Sequence, residues 1–216
     1  MQLSLLVPRL RARLAAAVDG AAPLPGHDAH AEMAPFPARA AVETLSTDTN
    51  EGRPAATLVL LYPGDRGEAR FVLTVRHGDL RDHAGQVSLP GGSLEPGETP
   101  EAAACREGWE EVGADPDALD VLGRLTPIYI PPSRLSVWPI VAVAPQRPPF
   151  VAQETEVATI LDVPLEDLLD PSRRQRAMRD APLGRFDVPF FDLAGHEVWG
   201  ATAMMLAEFA AVVASA

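Results

Sequence analysis

Short apolar runs and longer helical repeats follow one another along this chain. Residues 3–18 carry apolar side chains at helical spacing, which predicts a first helix whose buried face is Leu6, Leu10, Leu14 and Val18. Two apolar runs follow, ATLVLL at residues 56–61 and RFVLTV at residues 70–75, with Pro63-Gly64-Asp65 between them. A turn sequence between two such runs predicts a hairpin of two strands.

The later elements follow the same alternation. Residues 99–112 predict a helix, because Thr99 can cap it, Pro100 suits its first position and Gly113 suits its end. Further strands are predicted at residues 86–89, 121–130 and 137–143, a short helix at 164–169 and a closing helix at 199–213. We expect the closing helix to be amphipathic, because Glu208 interrupts its apolar residues.

These elements favour one α/β domain built on a mixed sheet and covering residues 1–216. Residues 20–40 are rich in Pro, Ala, Gly and His and predict an irregular connection after the first helix. The helix and connection together occupy about residues 1–45. Arginines in residues 3–18 would also suit a transit peptide, but a domain helix is the preferred interpretation.

Composition narrows the class of protein. The net charge is −12, and all 18 basic residues are arginine, so nonspecific nucleic-acid binding is disfavoured. No apolar run approaches the roughly 20 residues that span a bilayer, so we expect neither a nucleic-acid nor a membrane partner. Cys105 is the only cysteine, which excludes an intrachain disulfide and agrees with a cytoplasmic location.

The candidate chemistry lies in residues 92–114, GSLEPGETPEAAACREGWEEVGA. Three carboxylates share one face of the predicted helix at positions i, i+3 and i+4: Glu107, Glu110 and Glu111. Their mutual repulsion would become coordination around a divalent cation, and oxygen-only ligands indicate Mg²⁺ or Mn²⁺. The alternative is a solvated face on which Arg106 pairs with Glu110. The preceding Pro90-Gly91-Gly92 favours a site, because glycine lets the backbone approach a ligand closely.

This stretch resembles the signature of the Nudix hydrolase family, G-x5-E-x7-R-E-U-x-E-E-x-G-U, where U is a bulky aliphatic residue. The polar and glycine positions of that pattern are filled by Gly92, Glu98, Arg106, Glu107, Glu110, Glu111 and Gly113. Two U positions hold the smaller Gly108 and Ala114. The resemblance implies the Nudix fold, a mixed β-sheet sandwiched between α-helices. It also implies a pyrophosphohydrolase that uses Mg²⁺ or Mn²⁺.

The resemblance further implies a role for each residue. Glu107 and Glu111 would be the main metal ligands, Glu110 would be a further ligand or contact a metal-bound water, and the Gly91 carbonyl would be an extra ligand. Arg106 would pair with a glutamate of the motif, with Glu98 preferred, and orient the site. Nudix enzymes often recruit a downstream glutamate as ligand or base. Glu156 is preferred over Glu154 for this role, and the choice of base between Glu110 and Glu156 stays open.

Residues 73–92, LTVRHGDLRDHAGQVSLPGG, are similar to the segment that marks the coenzyme A pyrophosphatase branch of the family. Among the matching positions, four are expected to bind substrate: Arg76, Arg81, His83 and Gln86. Arginine suits phosphate recognition, and coenzyme A (CoA) carries an extra 3′-phosphate. On the residues alone, Arg81 is equally well explained as a loop charge beside Asp79 or Asp82, and His83 as a structural histidine.

The implied reaction is metal-dependent hydrolysis of CoA or acyl-CoA to 3′,5′-ADP and (acyl-)4′-phosphopantetheine. Two alternatives stay open: a Nudix pyrophosphatase for another nucleoside diphosphate derivative such as ADP-ribose or NADH, and a noncatalytic Nudix ligand-binding domain. The second would be expected to lack motif carboxylates, and all of them are present here. The expected partner is a small-molecule substrate, and a homodimer is one of the oligomeric states left open.

Overall fold

The computed structural model describes residues 1–35, 52–78, 85–181 and 184–216. Its helices are α1 (Leu3–Val18), α2 (Gly26–Glu32), α3 (Pro100–Val112), α4 (Leu165–Leu169) and α5 (Gly200–Ser215), with 3₁₀ turns at Pro116–Ala118 and Pro171–Arg173. Its strands are β1 (Arg53–Pro63), β2 (Ala69–Arg76), β3 (Val87–Ser88), β4 (Gly91–Ser93), β5 (Asp120–Arg124), β6 (Ile128–Ile130), β7 (Leu135–Val143), β8 (Val157–Pro164), β9 (Arg174–Ala181), β10 (Gly184–Leu193) and β11 (His196–Trp199).

The main sheet is mixed and runs in the order β3-β2-β1-β7-β5. Its central pair, β1 and β7, is parallel, whereas β1 and β2 form the predicted antiparallel hairpin with Leu61 opposite Phe71. Three further strands attach beside this path: β4 pairs with β1, β6 with β7 and β8 with β2. The parallel pair brings the two most buried strands of the sheet together at its centre.

Both faces of the main sheet are covered by helices, which confirms the predicted fold class. Successive side chains of β1 point to opposite faces, and both sets are buried. Leu58 and Leu60 pack in one apolar cluster with α3, while Val59 and Leu61 pack in a second cluster with α1 and α5. The first helix buries Leu6, Leu10 and Leu14 as predicted, although Val18 is exposed.

A short helix lies inside the segment predicted to be irregular. α2 is held by α5, because Glu208 accepts a hydrogen bond from the Gly26 backbone N–H at 3.1 Å and lies 3.0 Å from Nε2 of His30. A distant tertiary contact therefore fixes a helix that seven residues of local sequence do not predict. Residues 36–40 of the predicted connection lie outside the described residues.

The single strand predicted at residues 121–130 is two strands, β5 and β6. Thr126, between them, donates its backbone N–H and its hydroxyl to Glu208, so its backbone turns away from the neighbouring strand. Pro127 has no N–H to donate to a sheet. The same buried glutamate therefore organises both α2 and the break in the strand.

The C-terminal region differs most from the prediction. A three-stranded antiparallel sheet, β11-β10-β9, precedes α5 and was not predicted, and Trp199 ends β11 instead of beginning the helix. The expectation of an amphipathic closing helix is wrong, because Glu208 is 0% exposed and most of α5 is buried. Within the described ranges, no helix is long and apolar enough to cross a membrane.

Candidate active site

Helix α3 presents the candidate carboxylates from a fixed position. The Thr99 hydroxyl accepts a hydrogen bond from the Ala102 N–H at 3.2 Å at its start, and Gly113 ends it in the left-handed region at φ 73°. Gly108 faces β1, where an added Cβ would lie 2.6 Å from Cδ2 of Leu58. The small residue at this motif position therefore permits close packing of the helix on the sheet.

The three carboxylates of α3 range from buried to exposed. The whole of Glu111 is 4% exposed, the Glu107 side chain is 14% exposed, and the Glu110 side chain is 54% exposed. Burial penalises a charged carboxylate, so Glu111 bears the largest desolvation cost of the three. The helix thus directs one carboxylate into the protein and one toward solvent.

Arg106 connects the motif glutamates. Its guanidinium donates to both oxygens of Glu98, at 2.9 and 3.1 Å, to Glu107 at 2.9 Å and to Glu110 at 3.1 Å. A fifth hydrogen bond reaches the Ser93 carbonyl at 3.1 Å. The two pairings considered from the sequence, with Glu98 and with Glu110, therefore coexist. The Arg106 hydrogen bond also lowers the pKa of Glu98.

The loop before α3 approaches the carboxylates closely. A Cβ at Gly92 would lie 2.4 Å from Oε1 of Glu107, so only glycine leaves room for that carboxylate. Gly91 is equally confined, because a Cβ there would lie 2.4 Å from the Ala56 carbonyl oxygen. The backbone of β4 is consequently brought against the charged face of α3.

A cleft of about 520 Å³ opens over this region. It is lined by Arg76, Gly91, Gly92, Glu107, Glu110, Glu111, Gln153 and Glu156. The lining thus combines four carboxylates with one guanidinium. Such a cleft is strongly acidic and would repel a phosphorylated ligand unless a cation accompanied it.

The two inner carboxylates have perturbed acidities. Burial, with a smaller contribution from the charges of Glu107 and Glu156, raises the pKa of Glu111 to about 8, although Arg76 and a backbone hydrogen bond from Gly91 oppose the rise. Burial also raises the pKa of Glu107, with Arg106 opposing and the charges of Glu110 and Glu156 adding to the rise. Both groups would therefore gain from a bound cation that stabilises their ionised forms.

The residues present suit a hard divalent cation. Among the described residues, Oε2 of Glu111 is buried without a hydrogen-bond partner, which is costly unless a proton or a cation compensates it. Oxygen donors of this kind are those that Mg²⁺ and Mn²⁺ prefer. Within the described ranges no three His, Cys, Asp or Glu residues are already close enough to enclose a metal. Arg106 holds Glu107 and Glu110 in this arrangement.

The residues predicted to bind substrate are distributed unevenly. Arg76 lines the cleft, and its buried Nε has no hydrogen-bond partner among the described residues. Gln86 is not part of the cleft lining; its carbonyl accepts a hydrogen bond from the Arg76 N–H at 3.0 Å. Arg81 and His83 lie outside the described residues.

The downstream glutamates are separated by the structure. Glu156 lines the cleft, whereas Glu154 does not. The Glu156 carbonyl accepts a hydrogen bond from the His77 N–H at 2.7 Å, which fixes this residue beside the end of β2. Gln153 also lines the cleft and was not anticipated from the sequence. The only sequence feature that could have indicated Gln153 is its position three residues before Glu156.

Comparisons with known proteins identify the family of this chain. The NUDIX domain family matches residues 52–182. The chain is 33% identical over 180 residues to Nudix hydrolase 15, mitochondrial, of Arabidopsis thaliana. The matched residues cover 79% of this chain and 63% of that protein. It is 35% identical over 173 residues to the uncharacterized Nudix hydrolase NudL of Escherichia coli O7:K1, covering 77% and 85% of the two chains.

A solved structure shares the fold. The crystal structure of RenU, a Nudix hydrolase from M. smegmatis, superposes with a TM-score of 0.56 at 22% identity and covers 76% of this chain and 86% of that one. The chain spans less than two thirds of the length of the plant relative, 63%. The family match over residues 52–182 includes the whole carboxylate motif, and the chain belongs to the Nudix domain family.

Proposed function

We propose that this protein is a metal-dependent pyrophosphohydrolase whose substrate is CoA or an acyl-CoA. The observation that carries the proposal is the buried Glu111 carboxylate, which shares one cleft with the carboxylate of Glu107 and the cationic Arg76. Carboxylates crowded in this way, with a guanidinium at the same cleft, suit a ligand made of a metal ion and a phosphate chain.

The chain's own oxygens would hold the cation. Glu107 and Glu111 would be its main ligands, with Glu110 and the Gly91 carbonyl as further donors. When bound, Mg²⁺ or Mn²⁺ supplies Lewis acidity and neutralises charge on the pyrophosphate. Arg106 and Glu98 would act indirectly, because their hydrogen bonds orient Glu107 and Glu110.

Arg76 and Glu156 would act on the substrate and the attacking water. Arg76 lines the cleft, so its guanidinium would donate to a nonbridging phosphate oxygen. Glu156 would accept, at a carboxylate oxygen, the proton that the water loses on attacking phosphorus. Glu110, more exposed on the same cleft, is the alternative base.

The preference for CoA rests on residues 73–92 and their similarity to the CoA pyrophosphatase segment. Of the four residues assigned to substrate, Arg76 lies in the cleft, and we propose that Arg81, His83 and Gln86 contribute from the same segment. A Nudix pyrophosphatase for ADP-ribose or NADH is the alternative enzyme. The sole cysteine, buried Cys105, suits a reducing compartment, and we retain the cytoplasm as the proposed location.

A substrate panel tests the proposal. Purified protein with Mg²⁺ or Mn²⁺ would be offered CoA, acetyl-CoA, 3′-dephospho-CoA, ADP-ribose and NADH, with products identified by mass. We expect 3′,5′-ADP and 4′-phosphopantetheine from CoA at the highest kcat/KM. A higher kcat/KM for ADP-ribose or NADH would replace CoA by the alternative substrate class. Binding of a substrate without any turnover would favour the noncatalytic domain.

Two variants tie turnover to the motif. Glu107→Gln and Glu111→Gln should lower kcat by orders of magnitude, because each replaces an anionic metal ligand by a neutral amide. Both variants should retain the fold, because the amide has the same shape as the carboxylate. Glu101→Gln is the matched control, since Glu101 lies on the same helix but not in the cleft. Full activity in both site variants would remove the motif from the catalytic assignment.

A further inference from the structure

The loop at residues 151–156 connects the carboxylate helix to the end of β2. At one side, the Val151 N–H donates to the Val112 carbonyl at 3.0 Å and the Gln153 N–H donates to the Glu111 carbonyl at 3.0 Å. At the other side, the Glu156 carbonyl accepts from the His77 N–H at 2.7 Å. The loop therefore spans from the buried carboxylate Glu111 to the candidate base Glu156.

Gln153 organises this loop through its side-chain oxygen. Oε1 accepts from the Thr155 N–H at 2.7 Å, from the Thr155 hydroxyl at 2.8 Å and from the Glu156 N–H at 3.0 Å. Because two backbone N–H groups point at this atom, it is the oxygen and not the nitrogen of the amide. The backbone carbonyl of Gln153 adds bonds from the N–H groups of Glu156 at 3.0 Å and Val157 at 2.8 Å.

These bonds act on the orientation of Glu156. Both carbonyl oxygens of Gln153, in the side chain and in the backbone, accept from the Glu156 N–H, while the Glu156 carbonyl is bound by His77. The backbone of Glu156 is therefore held on both sides, although Gln153 and Glu156 are themselves exposed residues. Because Gln153 is exposed, its side chain contributes little buried surface. Its effect comes from the three hydrogen bonds to one oxygen, which order the loop.

We propose that Gln153 is a positioning residue, which holds Glu156 in a fixed position relative to Glu111 at the cleft. The inference rests on the proposed hydrolytic function and concerns the orientation of the candidate base. Gln153 donates its backbone N–H to the Glu111 carbonyl and accepts the Glu156 N–H at its side-chain oxygen, so it connects two acidic residues that line the same cleft. Loss of its side-chain oxygen removes three hydrogen bonds from the turn that carries Glu156.

The test measures kcat and KM separately. Gln153→Ala should lower kcat about 10-fold or more and change KM little, because a general base contributes mainly in the transition state and depends on its orientation. Gln153→Glu keeps an oxygen acceptor of the same length, so it should restore kcat, while its negative charge raises KM for an anionic substrate. Gln175→Ala, at an exposed glutamine of β9, is the matched control and should change neither value.

A double variant separates positioning from other effects. If Gln153 acts through Glu156, Gln153→Ala combined with Glu156→Gln should be no slower than Glu156→Gln alone. Additive losses would overturn the proposal, as would wild-type kcat in Gln153→Ala. If Gln153→Ala does not fold, Gln153→Met, which keeps the length and lacks the oxygen, provides the same comparison.

The outcomes distinguish this inference from the function it rests on. A wild-type protein that turns over no compound of the panel overturns both the hydrolytic function and the role of Gln153. The role of Gln153 alone is overturned by a different set of results. In that set the wild type is active, Glu107→Gln is inactive, and Gln153→Ala has the same kcat as the wild type. Unfolding midpoints of all variants, measured by circular dichroism, show whether a loss of kcat comes from unfolding.

Discussion

Arg106 binds Glu98 through two parallel hydrogen bonds, from Nε to Oε1 at 2.9 Å and from Nη2 to Oε2 at 3.1 Å. The Arg106 and Glu98 side chains are 23% and 13% exposed. Glu98 also accepts from the Glu95 N–H at 2.9 Å, so the loop before α3 is bound to the helix through this carboxylate. The bidentate geometry is the strong form of this ion pair, and it fixes the direction of the guanidinium.

We predict a measurable coupling between these two residues. A double-mutant cycle with Arg106→Ala and Glu98→Ala should give an interaction free energy of about 1–3 kcal/mol in urea unfolding. The matched control is Arg176 with Asp187, whose side chains are 51% and 44% exposed, and we expect less than about 1 kcal/mol there. Equal coupling for the two pairs would contradict a special role for the bidentate contact.

We predict that Gly92→Ala impairs catalysis without unfolding the protein. The added Cβ would meet Oε1 of Glu107 at 2.4 Å and displace that carboxylate, which lies at the flexible end of a side chain. We expect a lower kcat, weaker Mg²⁺ binding and an unfolding midpoint close to that of the wild type. Combined with Glu107→Gln, the variant should cause no further loss of kcat. An independent loss in the double variant would place the effect elsewhere.

Metal binding should release a proton near neutral pH. Burial and the charge of Glu107 raise the pKa of Glu111 to about 8, so at pH 7 this group is mostly protonated in the metal-free fold. A cation binds the ionised form, so its affinity should increase as pH rises toward about 8 and level off above it. Turnover at limiting Mg²⁺ should rise over the same interval.

Calorimetric titration of Mg²⁺ in two buffers of different ionisation enthalpy measures this release. We expect close to one proton per bound ion at pH 7, and fewer at pH 9. Glu111→Gln should bind Mg²⁺ more weakly and release fewer protons. Affinity and proton release that stay constant between pH 6 and pH 9 would argue against Glu111 as a ligand.

Local sequence was sufficient for the carboxylates of the site. Glu107, Glu110 and Glu111 share one helical face because the α-helix has a fixed period, and Thr99 and Gly113 mark its ends through local backbone chemistry. The β1–β2 hairpin was predictable for the same reason, since a turn sequence separates two apolar runs. Such features need only residues that are neighbours along the chain.

Tertiary contacts decided the features that were missed. Gln153 lines the cleft because its loop bonds to the Glu111 carbonyl, and nothing in the local sequence specifies that partner. In the sequence, Glu208 looks like a polar interruption of an apolar helix. In the structure, its carboxylate oxygens accept hydrogen bonds from Gly26 and Thr126. A hydropathy pattern cannot distinguish a solvated carboxylate from a buried one whose partners come from distant segments.

Glu208 gives the last prediction, a large effect on stability at a residue remote from the cleft. This carboxylate is 0% exposed and accepts from the Gly26 N–H at 3.1 Å and from the Thr126 hydroxyl at 2.6 Å, and it lies 3.0 Å from Nε2 of His30. Glu208→Ala would leave buried polar groups of α2 and of the β5–β6 connection without this acceptor, so we expect a loss of about 3 kcal/mol or more in the free energy of unfolding. Glu208→Gln keeps one carbonyl oxygen and should lose less.

Glu197→Ala is the control, at a side chain that is 52% exposed, and it should lose less than about 1 kcal/mol. Urea unfolding followed by circular dichroism measures all three, and kcat of folded Glu208→Ala should equal that of the wild type, because Glu208 is not part of the cleft lining. A loss below 1 kcal/mol for Glu208→Ala would show that water or a rearranged loop replaces the carboxylate at little cost.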